Sequence, residues 1–278
     1  MKIALDVQGL YKKYELFELK DACFQIPVGS IMGLVGPNGS GKTTIIKSIL
    51  SLVNYNSGQI TFFGESLRKG DLFKDLGVVA DFSIYDKAWR LKDVEKMYAY
   101  FYDNWDSEVF QDLLTKFGIS IKKRVGELSR GMNVKLMIAT AFARKARLLI
   151  LDEPTSGLDP VARHEICNLL NAYVAIENGS VLFSTHHTTD LEYAAEYVTM
   201  LSKGSVTYTG KISSLMETYS IISGIPEKAV QKRNLIKGYI EHEGTFKGMI
   251  NRADAENVPH DTIRPATIDD IVVYSYEA

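Results

Sequence analysis

Apolar residues recur along this chain with two different periods. Short apolar runs at Lys2–Val7, Leu19–Ile26, Ser30–Val35, Gly58–Phe63 and Leu76–Ala80 are bounded by polar or glycine-rich turns, and they predict strands. Thr44–Leu52 is apolar at helical spacing. From about residue 81 to 127 the pattern turns helical, dense in aromatics and charges and almost without glycine. That stretch predicts an inserted helical subdomain, about 82–127. An α/β alternation then returns: a helix from Ser129 to about Lys145, a strand Arg147–Leu151, a helix Pro160–Ile176 and a strand Val181–Thr185. Strands Tyr197–Leu201 and Ser205–Thr209 close a core over residues 1–210. Beyond it, residues 211–278 predict a small C-terminal α/β extension. It holds a strand at Tyr219–Ile225, a hairpin over Tyr239–Asn251 turning near Glu243-Gly244, and an alternating segment Ile271–Tyr276. No internal repeat or heptad run is present.

Composition changes this picture little. The chain has 278 residues, 46% hydrophobic and 24% charged, with a formal net charge of −2. No basic field points to nucleic acid as a partner. Cys23 and Cys167 lack metal-ligand spacing and fit a reducing compartment. The N-terminal apolar run is broken by a charge, which argues against a signal peptide. No window approaches the ~20 apolar residues of a membrane span. A cytoplasmic protein is expected.

The chemistry begins at Gly36-Pro37-Asn38-Gly39-Ser40-Gly41-Lys42-Thr43. This G-x-x-x-x-G-K-T pattern follows a predicted strand and opens a predicted helix at Thr44. Its glycines let backbone N–H groups line a phosphate pocket, Lys42 offers charge to the β- and γ-phosphates, and the Thr43 hydroxyl offers a ligand to Mg²⁺. A chance match in a chain of this length has a probability of about 1%, so a ligand-free glycine turn is a poor rival. The run Leu148–Leu151 ends in Asp152-Glu153, which places one carboxylate where it can hold Mg²⁺ and a second where it can take a proton from attacking water. Three further signals are weak alone. Ser129 can be a helix N-cap, Asp159 can simply start the helix at Pro160, and His186 can be a satisfied strand-end histidine.

In their order and spacing these residues resemble the ATP-binding-cassette (ABC) ATPase family over about residues 1–210. Gly36–Thr43 matches its Walker A loop, Leu151–Ser156 its Walker B strand and turn, and Leu128–Met132 its LSGGQ signature. Ser156–Asp159 matches the D-loop, and His186 the switch histidine. Tyr14 falls where the family stacks an aromatic on adenine, with Tyr11 as the less well-spaced alternative. The resemblance implies a P-loop NTPase core of ABC type, ATP and Mg²⁺ as ligands, and head-to-tail dimerisation over two ATP molecules. A homodimer is favoured because the chain carries each required group, and a heterodimer is the alternative. Lys42, Glu153 and His186 would be catalytic. Ser129, Gly131 and Asp159 would serve the nucleotide across the dimer. Thr43, Asp152 and Asp81 would face the metal.

Two departures stand out. Asp81 occupies the place of the family's glutamine, and in the signature Arg130 replaces a glycine and Met132 the final glutamine, while Ser129 and Gly131 are kept. Phe101–Asp106 is also similar to a stretch in a bacterial branch that exports, or gives resistance to, antimicrobial or toxic peptides. The aromatic cluster Met97–Asp106 is either a docking face for a membrane partner or the core of the insert. The resemblance therefore implies a transporter ATPase on the cytoplasmic face of the cell membrane, acting on separate polytopic membrane subunits, with export favoured. A soluble ABC ATPase acting on ribosomes or DNA is the alternative.

Overall fold

The computed structural model describes residues 2–66, 75–80, 85–177 and 179–276. β1 (Ile3–Lys13) and β2 (Glu18–Pro27) form an antiparallel ribbon. β3 (Ile31–Val35) leads through the glycine loop into α1 (Lys42–Ile49), followed by β4 (Ser57–Phe62), β5 (Glu65–Ser66) and β6 (Leu76–Val79). The helical stretch holds α2 (Leu91–Phe101) and α3 (Ser107–Lys116). Next come α4 (Arg130–Ala143), β7 (Leu148–Leu151), α5 (Pro160–Glu177), β8 (Ser180–Thr185), α6 (Thr188–Ala194), β9 (Tyr197–Ser202) and β10 (Ser205–Lys211). The remainder is α7 (Ile212–Thr218), β11 (Tyr219–Gly224), α8 (Pro226–Ala229), β12 (Ile236–His242), β13 (Thr245–Asn251), β14 (Thr262–Pro265) and α9 (Ile268–Tyr276).

Ten strands form one mixed sheet in the order β5-β4-β1-β2-β10-β9-β3-β8-β7-β6. β9, β3, β8, β7 and β6 run parallel, so the ends of β3, β7 and β8 open onto one edge. These strands are buried on both faces, which is why they read as unbroken apolar runs. Leu148 and Ile150 pack toward α1 with Leu34 and Ile45. Leu149 and Leu151 pack toward α4 and α5 with Leu136 and Leu170. Gly33 is forced by this packing, since a Cβ there would lie 2.1 Å from the Leu191 side chain.

In the helical stretch, Tyr98 stacks on Tyr102 and on Trp105, with ring centroids 5.6 and 5.2 Å apart, and the Arg144 guanidinium lies 4.0 Å from the Tyr102 ring centre. Within the aromatic cluster Tyr98 is buried, and Tyr102 and Trp105 pack half-buried against the core. Tyr100 and Phe101 project outward, 81% and 67% exposed.

The C-terminal residues build a four-stranded antiparallel sheet, β12-β13-β11-β14. Its hairpin turns at Glu243 and Gly244, both at positive φ, as a tight primed turn requires. One expectation fails here: Ile271–Tyr276 is not a strand but part of α9. Thr267 and Asp270 exchange capping bonds, the Thr267 N–H donating to the Asp270 carboxylate and the Asp270 N–H to the Thr267 hydroxyl. Ile268, Ile271 and Val272 then fall on one buried helical face. α9 also touches the core: Thr188 donates to Asp269 at 2.7 Å, and the Tyr276 hydroxyl donates to the Val35 carbonyl at 3.3 Å.

Candidate functional site

The glycine loop closes around a site that only its own sequence permits. A Cβ on Gly36 would stand 2.5 Å from the Leu201 carbonyl oxygen and 2.5 Å from the Ser40 hydroxyl. Gly41 caps α1 at φ 114°, a conformation that side chains oppose. Gly41 has no side chain with which to cap α1, so among the described residues the first N–H groups of the helix are open to a ligand at its positive end. Asn38, Gly39, Ser40, Gly41, Lys42, Thr43 and Thr44 line a cleft of about 840 Å³ together with Glu153 and His186. Pro37 helps to hold the loop, accepting from the Ser40 N–H at 3.1 Å.

Three ionisable groups converge in this cleft. Lys42, 6% exposed, donates its Nζ to the Gly36 carbonyl at 2.7 Å and lies 3.5 Å from the Glu153 carboxylate. The other Glu153 oxygen meets His186 Nδ1 at 2.7 Å. Glu153 sits at φ 50°, an uncommon backbone conformation for a residue with a side chain. Its N–H donates to the Ser184 hydroxyl at 2.9 Å, and that hydroxyl donates to Asp152 at 2.7 Å. One serine on β8 therefore orients the Asp152 carboxylate and fixes the Glu153 backbone just beyond the end of β7. From sequence, Ser184 falls within the strand Val181–Thr185 just before His186 and has no role of its own.

Asp152 and the exposed Thr43 offer hard oxygen donors, the type that Mg²⁺ prefers, and Mg²⁺ commonly takes only one or two protein ligands beside phosphate. The donor set and the open loop around Gly39, where a Cβ would meet nothing within 4 Å, fit a metal-bound nucleotide. Asp81 lies outside the described residues.

At the far side of the cleft Tyr14 is 40% exposed, with Lys12 Nζ 4.9 Å from its ring centre and Phe17 at 6.4 Å between ring centroids. Tyr11 instead donates its hydroxyl to Glu18 at 2.5 Å and does not line the cleft. Leu16 and Phe17 do, and sequence reasoning had not singled them out.

Ser129, Gly131 and Asp159 are not among the residues lining this cleft, although Arg130 is. Ser129 caps α4, accepting from the Met132 N–H at 3.3 Å; Ser129 and Arg130 are exposed, and Gly131, Met132 and Asn133 are half-buried. Asp159 accepts from the N–H groups of Ala162 at 3.0 Å and Val161 at 2.9 Å. Those backbone bonds, Ala162 first, hold its carboxyl below the usual range despite the opposing cost of burial. Among the described residues, no helix is long and apolar enough to cross a membrane.

The profile of the ABC transporter family matches residues 19–156. ABC transporter ATP-binding protein YtrB of Bacillus subtilis (strain 168) is 32% identical over 203 residues, which cover 72% of this chain and 69% of that one. The lantibiotic transport ATP-binding protein SrtF of Streptococcus pyogenes is 33% identical over 205 residues, covering 73% and 88%. Nod factor export ATP-binding protein I of Rhizobium sp. (strain N33) is 30% identical over 254 residues, covering 86% and 82%. A solved ATP binding subunit of an ABC transporter superposes with a TM-score of 0.69 at 27% identity, over 76% of this chain and 91% of the other. The chain belongs to the ABC transporter family, as its ATP-binding, ATP-hydrolysing subunit.

Proposed function

We propose that the subunit powers export through separate polytopic membrane subunits on the cytoplasmic face of the membrane, by closing head to tail with a second ATPase subunit around two ATP molecules. The observation that carries this reading is the Glu153 carboxylate, held between Lys42 and His186 at the mouth of the phosphate loop. ATP binding inserts phosphate where Lys42 can turn to it, which releases one Glu153 oxygen to take a proton from attacking water. His186, bonded to the other oxygen, keeps that carboxylate aimed and adds a donor toward the terminal phosphate. The free N–H groups of α1 hold the β-phosphate, and Tyr14 offers its face to the base. Mg²⁺, held by Thr43 and Asp152, with Asp81 as the further ligand proposed from sequence, would neutralise charge on the transferred phosphoryl group.

The exposed Ser129 and Arg130 at the start of α4 support the dimer. Ser129 and Gly131 do not line their own cleft and would complete the γ-phosphate shell of the partner, with Asp159 at the same interface. ATP then favours the closed pair because only that state satisfies both halves of each site. Export is favoured by the name of one relative, a Nod factor export ATP-binding protein, and a second relative is a lantibiotic transport ATP-binding protein.

Mixing two inactive variants tests the arrangement. Lys42→Ala removes the phosphate cation, and Ser129→Arg fills the space opposite the partner's γ-phosphate. A mixed dimer carries both lesions at one site and neither at the other, so ATPase activity should return on mixing. Mixed dimers without recovered activity would overturn the head-to-tail reading. Export itself is tested by ATP-driven substrate uptake into inside-out vesicles that carry the co-purified membrane subunits.

A further inference from the structure

β7 and β8 are adjacent in the sheet, and their pairing ends at Leu151 opposite Phe183. Beyond that point Glu153 and His186 lie on separate loops, and sheet hydrogen bonds no longer fix their spacing. Besides the Glu153–His186 bond itself, two side chains among the described residues tie the segments that carry them. Ser184 ties the near side, at Asp152 and the Glu153 N–H. The far side is tied by Asp190, on the first turn of α6.

Asp190 is fully buried. One of its carboxylate oxygens accepts from the Thr155 hydroxyl at 2.6 Å and from the Thr185 hydroxyl at 2.6 Å. Thr155 follows Glu153 by two residues, and Thr185 immediately precedes His186. The Thr185 hydroxyl in turn accepts from the His187 N–H at 3.0 Å, so the backbone on both sides of His186 leads to this one oxygen. The second oxygen faces Arg163 Nε of α5 at 3.6 Å, an ion-pair distance too long for a hydrogen bond. Asp190 is not serving as a helix cap. His187 is the N-cap of α6, and the side-chain bonds of Asp190 leave the helix for two other segments.

A buried carboxylate is costly unless its oxygens are bonded, and short O–H···O⁻ bonds are among the strong ones. The positive φ of Glu153 likewise persists only where neighbouring contacts fix it. We infer that Asp190 is a positioning residue that sets the spacing of Glu153 and His186 by holding Thr155 and Thr185 on one oxygen. The inference rests on the roles proposed above for those two residues.

The test is Thr155→Val and Thr185→Val, each near-isosteric and each deleting one donor, beside Thr155→Ser and Thr185→Ser, which keep the hydroxyl. All are measured for kcat, for fluorescent-nucleotide affinity and for melting temperature. Displacement of a reacting group by about 1 Å costs on the order of 100-fold in rate, so each valine variant should lose at least ~10-fold in kcat, with nucleotide affinity within about threefold. Both serine variants should recover most of the rate. In a His186→Ala background Thr185→Val should cost less than about threefold further, because it acts through the missing imidazole. Unchanged kcat in both valine variants overturns the inference. So does an undiminished Thr185→Val effect without His186, or serine variants as damaged as valine. Should one valine variant fail to fold, the other and Asp190→Asn carry the same test. If Glu153→Gln and His186→Ala themselves turn over normally, the reading of the site has failed. If they are slowed and the threonine variants are not, only the role of Asp190 has.

Discussion

Glu153→Gln separates proton transfer from every other duty of this carboxylate. The amide preserves length and hydrogen-bonding reach, so His186 keeps a partner at the observed 2.7 Å. Two effects follow, and they differ in sign. Loss of the base costs on the order of 10²–10⁴ in turnover, or about 3–5 kcal/mol in the barrier. Loss of the charge frees Lys42. At 3.5 Å and an effective dielectric of about 20, the Lys42–Glu153 attraction amounts to about 5 kcal/mol before hydration is counted, and an incoming phosphate must compete with it. With the carboxylate neutralised, nucleotide affinity should hold or rise while turnover collapses. ATP should then trap a dimer that the wild type forms only transiently. Steady-state phosphate release at saturating Mg-ATP, a fluorescent-ATP titration and light scattering with and without ATP read the three quantities. Turnover within about threefold of wild type would refute the base assignment. A parallel fall in affinity and turnover would show that Glu153 holds the loop together instead.

Three further outcomes are expected. Gly36→Ala drives a Cβ to 2.5 Å from a backbone carbonyl, so the loop must shift; ATP affinity should fall at least ~10-fold while the melting temperature changes far less, measured by titration and calorimetry. Burial would raise the Asp270 carboxyl, but the bidentate Arg264 pair and the Thr267 bonds overcome it and hold it at about 2. A lowered folded-state value means stability that is present above the usual carboxylate range near 3.8 and is lost as pH falls through about 2, so Asp270→Asn should cost up to about 2 kcal/mol at pH 6 and progressively less toward pH 2, read from denaturant melts across that range. Asp81→Gln should raise the basal ATPase rate of the isolated subunit, because there the shorter carboxylate would repel the γ-phosphate and would reach the metal only after a conformational change driven by the membrane subunit; an unchanged or lower rate would remove Asp81 as a brake.

What the sequence disclosed, and what it hid, follows from how far apart the interacting groups lie along the chain. The phosphate loop was legible because its constraints are local. Gly36 has no room for a Cβ and Gly41 adopts a left-handed backbone, so spacing and residue type are dictated together. The parallel strands were legible because burial on both faces leaves an unbroken apolar run. α9 was misread because Ile271–Tyr276 looks alternating, while the decisive signal, the Thr267–Asp270 capping pair, stands just outside that segment. β14 has four exposed residues at a sheet edge and offers no period to read. The ties that aim Glu153 and His186 were invisible for another reason. Ser184 is 32 residues from Asp152 and Asp190 is 35 from Thr155, and a hydroxyl that meets a carboxylate only when the fold brings two distant segments together leaves no pattern in one dimension. The groups that touch ATP are therefore written as motifs, whereas the groups that set their spacing are written in the strand order. A variant that keeps each motif residue and removes one of these ties should bind nucleotide normally and hydrolyse it poorly.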